Sequence, residues 1–152
     1  MSKYYIAYGS NLNREQMDHR CANAKKIGFA YLEGYQLLFR GRENDAKLTI
    51  EKKDGSRVPV GIYELDEFDI RRLDVYEGNG YAYIKQEMTV ISGGGTRLKV
   101  FTYVMCEGRK LNLPSEEYYQ RCQKGYEDFG FDLAYLEKAR QISEEHPNQD
   151  SF

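Results

Sequence analysis

The sequence predicts a single α+β domain, a mixed, curled sheet or small β-barrel with a few packed helices. Three observations carry that expectation. Short runs rich in aromatic and β-branched residues recur between turn clusters, two longer stretches read as helices, and no internal repeat or long linker divides the chain. At 152 residues the chain is long enough to bury a substantial core in one unit. The domain is expected over residues 1–147, with 148–152 a polar tail that frays.

The elements follow in order. Residues 3–8 read as a strand that stops at the turn cluster Gly9-Ser10-Asn11, and Asn13 is placed to cap a helix starting at Arg14. A strand, a tight small-residue turn and a helix start present several free backbone N–H groups together, which can hold a carboxylate or oxyanion. The same cluster also serves as a plain connection. Residues 26–32 and 35–39 read as strands flanking a hairpin or bend at Glu33-Gly34. Residues 47–51 alternate in polarity, and Lys53-Asp54-Gly55-Ser56 is expected to turn them into a strand over 58–63. Pro59 cannot donate a ladder hydrogen bond, so that strand is expected to lie partly at a sheet edge. Residues 88–91, a Ser92-Gly93-Gly94-Gly95 turn and residues 98–105 form a further hairpin. Helices are expected over 66–77 and, as a pair broken near Gly130, over 115–144.

Composition narrows the function classes. Charged residues are 30% and apolar residues 41%, the balance of an ordinary globular protein rather than a disordered one. A net charge of -2 with scattered Lys and Arg gives no electrostatic case for nucleic acid or an acidic membrane. No stretch is long and apolar enough to cross a bilayer, and the N-terminus lacks a secretory segment, so the expected location is cytoplasmic. Cys21, Cys106 and Cys122 are odd in number and widely spaced, the pattern of reduced thiols rather than a disulfide framework or zinc site. With His19 and His146 as the only histidines, no metal centre is expected. Ser10 lacks the G-x-S-x-G elbow of a serine nucleophile, while a Cys–His dyad stays open on sequence alone. Nothing in the composition sets an oligomeric state.

The helix over 66–77 carries the second informative feature. Asp66 is placed as its N-cap and Gly78 as its left-handed C-cap. Ile70, Leu73 and Glu77 fall at i, i+3 and i+7 and share one face, which should look inward. Glu77 is therefore delivered toward the interior at the last turn, where desolvation and the helix dipole both raise a carboxyl pKa. A Glu tuned toward neutrality suits general acid/base work. A structural Glu paired with Arg or Tyr is the competing reading.

These segments, taken together, resemble the gamma-glutamylcyclotransferase family, which includes gamma-glutamylamine and antibiotic-biosynthetic cyclotransferases. The matching residues are Tyr8-Gly9-Ser10-Asn11-Leu12, Val60-Gly61-Ile62-Tyr63-Glu64-Leu65, Leu73-Asp74-Val75-Tyr76-Glu77-Gly78 with Tyr83 beyond, and Pro114-Ser115-Glu116-Glu117-Tyr118 leading to Gly125 and Gly130. Each is weak alone; four in order, spanning residues 7–135, are specific. The resemblance implies a small mixed barrel and a small-molecule gamma-glutamyl substrate, with Tyr8, Gly9, Ser10, Asn11 and Leu12 holding the gamma-glutamyl group. It further implies Glu77 as catalytic acid/base, Tyr118 beside the pocket, and neither metal nor cofactor. Lys85 departs from the Arg found there in many relatives, which puts a bidentate contact in doubt.

The implied reaction closes the substrate's own α-amine onto its γ-carbonyl, releasing 5-oxoproline and a free amine. It asks of the protein only a folded substrate pose and a base. Whether the turn holds the substrate carboxylate or the developing oxyanion is open, as is the leaving amine, expected to be read by loops 40–45 and 107–113. A non-catalytic gamma-glutamyl- or carboxylate-binding domain of the same fold is the alternative.

Overall fold

In the computed structural model, residues 3–78, 80 and 82–152 are described; positions 1 and 2 of the expected domain, with 79 and 81, lie outside them. Five strands form one mixed sheet: β1 (Lys3–Ala7), β2 (Lys25–Arg40), β3 (Lys47–Leu65), β4 (Tyr83–Ile91) and β5 (Arg97–Met105). Their order is β2-β3-β1-β5-β4, with β1 parallel to β5 and the other neighbours antiparallel. The sheet curls until its far sides touch. Ala30 of β2 bridges Ser92 after β4, and Gly93 N–H donates to Phe29 O at 2.9 Å. Four helices pack on it: α1 (Arg14–Arg20), α2 (Glu67–Glu77), α3 (Glu116–Phe129) and α4 (Ala134–Glu145). This is the expected α+β domain, with the curled open sheet in place of a closed barrel.

The hairpin or bend expected at Glu33-Gly34 is a bend, and the turn expected at residues 53–56 lies within one continuous strand. At Glu33-Gly34 the register of β2 against β3 shifts between Glu33↔Arg57 and Tyr35↔Lys52, and both strands run on with the same partner. Residues 53–56 are the extra length absorbed there as a bulge, with Gly34 and Gly55 at φ +78° and +82°. Pro59 belongs to an interior strand, yet β1 pairs with β3 only over Gly61–Leu65; at Pro59 the register joins β3 to β2 alone. A missing N–H is tolerated at such a local edge.

The helix boundaries follow their caps. Asn13, Asp66 and Ser115 side chains accept from Gln16, Asp69 and Tyr118 N–H respectively. Gly78 (φ 60°) and Gly130 (φ 70°) end α2 and α3 in the left-handed region. The expected fraying tail is instead tied down. Asn148 N–H donates to Leu111 O at 2.7 Å, and Leu111 N–H to Gln149 O at 2.8 Å. Lys110 Nζ also lies 2.7 Å from Asp150.

Candidate active site

β1 ends at Ala7 and the chain turns through a short 3-10 helix, Ser10–Leu12, into α1. Leu12 and Asn13 N–H groups donate to Gly9 and Ser10 carbonyls, each at 3.0 Å. Tight packing holds this turn from behind. A Cβ on Gly125 of α3 would lie 2.6 Å from Asn13 N and 2.7 Å from Leu12 Cβ, and one on Gly61 would lie 2.8 Å from Leu12 Cδ2. Glycine at both positions lets α3 and β3 press against the turn.

Asn11 links the turn to α2. Its Nδ2 donates to Glu77 Oε1 at 3.3 Å and to the Tyr5 hydroxyl at 2.9 Å, and its Oδ1 accepts from the Arg20 guanidinium. Its carbonyl accepts from the Tyr63 hydroxyl at 3.3 Å. Arg20 also donates to the Tyr76 hydroxyl and lies 3.7 Å over that ring, so the last turns of α1 and α2 are bound together. Burial pushes the Glu77 carboxyl up to about 7, against the pull of the Arg20 charge and the Asn11 amide. Its two protonation states are therefore close in free energy at neutral pH.

Glu77 faces a cavity of about 340 Å³ whose walls include Tyr8, Gly9, Ser10, Asn11 and Tyr118. That volume is at the small end of the roughly 300–1,000 Å³ of ligand sites. Six of the seven residues expected at the site thus meet in one place. The exception is Leu12, fully buried beneath the turn against the Gly61 and Gly125 positions, so it supports the turn rather than facing the cavity. Tyr8 donates its hydroxyl to Tyr103 O at 2.6 Å, and the Tyr118 hydroxyl accepts from Leu48 N–H at 3.1 Å. Burial holds both phenols well above their ordinary range, so they stay protonated. Lys85 Nζ reaches both oxygens of Asp74, at 2.9 and 3.2 Å, so one ammonium spans the carboxylate that a guanidinium would fork. The other Asp74 partner is the hydroxyl of Tyr103, a wall residue.

The expected leaving-group loops divide: Asp45 pairs with Lys47, a wall residue of this cavity. Arg40, Glu107, Gly108 and Arg109 border a second cavity with Asp150, and none lines the first. The residues that sequence reasoning missed include Tyr5, Arg20, Lys47 and Arg121. Tyr5 carried a signal, being two residues from the end of β1 on an alternating strand. Arg20 reaches Tyr76 through tertiary packing, and Lys47 and Arg121, whose partners Asp45 and Glu117 are near in sequence, are brought to the cavity only by the fold. Among the described residues, no group of three or more His, Cys, Asp and Glu is placed to hold a metal ion.

A carboxyl group raised toward neutrality by burial thus meets a backbone turn at the end of a central strand of a curled α+β sheet. Comparison with known proteins makes the assignment specific. The chain belongs to the gamma-glutamyl cyclotransferase, AIG2-like family, whose profile matches residues 5–121. It is 26% identical over 146 residues to human gamma-glutamylcyclotransferase, covering 91% of this chain and 77% of that protein. The bovine protein of that name is 27% identical over the same shares. A solved gamma-glutamyl cyclotransferase superposes with a TM-score of 0.82 at 25% identity, covering 91% of this chain and 86% of the other. No helix among the described residues is long and apolar enough to cross a membrane.

Proposed function

We propose that the protein is a gamma-glutamylcyclotransferase, converting a gamma-glutamyl amide of an amino acid, peptide or amine into 5-oxoproline and the free amine. The single observation that carries this reading is the meeting of Glu77 with Asn11 of the Gly9-Ser10-Asn11 turn in one cavity. Glu77 as carboxylate takes a proton from the substrate's α-ammonium. The freed amine forms a bond to the γ-carbon, and the γ-carbon–nitrogen amide bond breaks. The leaving nitrogen takes that proton from Glu77 as the amide bond breaks, and the ring nitrogen's surplus proton passes through the regenerated carboxylate to the released amine, which departs as an ammonium; no water is consumed. Nucleophile and electrophile share one molecule, so holding them together supplies several kcal/mol of the barrier reduction, roughly 7–11 at most. The turn holds the anionic end of the gamma-glutamyl group or its developing oxyanion.

The test is 5-oxoproline release from gamma-glutamyl-alanine, gamma-glutamyl-ε-lysine and glutathione. Glu77→Gln should keep the native circular dichroism spectrum and lose about 10²–10⁴-fold in rate, the usual worth of a positioned acid/base. Undiminished release by that variant would overturn the assignment of Glu77. Tight binding by the native protein with no ring closure would favour a non-catalytic binding domain instead.

A further inference from the structure

The cavity is not electrically symmetric. Glu77 is its one acid among the described wall residues, and Lys47 of β3 and Arg121 of α3 are its cations. Both cations gather at the Tyr118 side. Lys47 Nζ lies 4.5 Å above the Tyr118 ring, and Arg121 follows Tyr118 by three residues on the same face of α3. The charge acting on Glu77 is that of Arg20, which also acts on the Cys122 thiol in α3; Lys47 and Arg121 act on that thiol and are not among the causes of the Glu77 shift. Each has one carboxylate partner, Asp45 at 3.3 Å and Glu117 at 3.2 Å. The Asp45 and Glu117 side chains are 48% and 86% exposed, so these pairs are weak and easily exchanged for a ligand.

Resting on the cyclotransferase reading above, we infer that Lys47 and Arg121 select a substrate whose leaving amine carries an anionic group, an amino acid or peptide carboxylate. The substrate's own α-carboxylate shares a carbon with the amine that Glu77 deprotonates, which keeps it at the Glu77 and Asn11 end. The leaving group extends beyond the γ-carbon, and the cations on the Tyr118 wall are placed for a charge there. A cationic amine would meet two like charges in a partly desolvated cleft, and a neutral one would leave both unused.

The paired substrates gamma-glutamyl-alanine and gamma-glutamyl-alaninamide differ only in that carboxylate. The native protein should favour the first in kcat/KM by about tenfold or more, the scale of a charge-assisted contact. In Lys47→Gln/Arg121→Gln the ratio should fall toward one, while Lys47→Arg and Arg121→Lys should retain the preference. A ratio unchanged in the double variant, or equal losses on both substrates, would overturn the inference. Calorimetric binding of the two ligands to Glu77→Gln reads the same preference without turnover. Absence of 5-oxoproline therefore counts against the proposed activity, and absence of a binding preference counts against the two cations.

Discussion

At the scale of one residue, Glu77 is a destabilising choice that the proposed chemistry explains. Its carboxyl ionises near 7 in the folded protein against an ordinary value of 4.5. Between those two pH values the folded state holds a proton that the unfolded chain has released. Its contribution to stability therefore falls as pH rises through that window and stays low above it. The penalty is on the order of 2–3 kcal/mol at pH 8 for this partly accessible group. Glu77→Gln should accordingly melt higher than the native protein at pH 8, with the advantage shrinking toward pH 5. The native rate should rise as pH passes through about 7 and the base form accumulates. Thermal melts at the two pH values and a pH–rate profile check both halves. A variant less stable than native at pH 8 would mean that the buried carboxylate is well compensated.

At the scale of elements, the turn after β1 is positioned by what presses on it. Gly125→Ala gains about 1 kcal/mol of helix propensity within α3. The new methyl group would meet Asn13 N at 2.6 Å, backbone that cannot swing aside as a side chain could. Overpacking of this kind costs roughly 1–3 kcal/mol, so the variant should be destabilised overall. Its activity should fall about 10–100-fold as the turn shifts relative to Glu77. Gly28→Ala, with nothing within 4 Å of the new Cβ, is the matched control and should leave activity near native. Urea melts and 5-oxoproline release measure both. Much of this arrangement was legible in the sequence. The caps at Asn13, Asp66 and Gly78 have local signatures, as does the inward face of Leu73 and Glu77, because capping and helical period depend on neighbours within one turn. A glycine at positive φ suits a bulge as well as a hairpin, so the sequence leaves hairpin or bend open at Gly34 and suggests a turn at Gly55, and only the partner strand decides. Leu12 was read as facing substrate because a motif fixes residue order and not which side faces the core. Arg20 has no local signature, since its link to Tyr76 joins α1 to α2 across 56 residues of chain.

At the scale of the whole molecule, the C-terminal tail and the Glu77 site are held by different segments of the chain. The C-terminal residues close on Leu111 and Asn112 beside the second cavity, where Asp150 also lies. None of these lines the cavity of Glu77. Leu111 is fully buried, and removing residues 148–152 would leave its N–H and carbonyl without Gln149 O and Asn148 N–H. An unsatisfied buried backbone group costs about 1–3 kcal/mol. Truncation after Pro147 should thus lower the melting temperature by on the order of 5 °C for a chain of this size. Glu77 keeps its partners Asn11 and Arg20 in the truncated chain, so the acid limb of the pH–rate profile should stay near 7. The two readouts separate because the tail bonds to the segment after β5, whereas Glu77 is held by β1, the turn and α1. A truncated protein whose acid limb moved by a pH unit would show that the tail and the site are coupled. An unchanged limb with a lower melting temperature would show that the Glu77 site is built locally, by the turn and the two helix ends that face it.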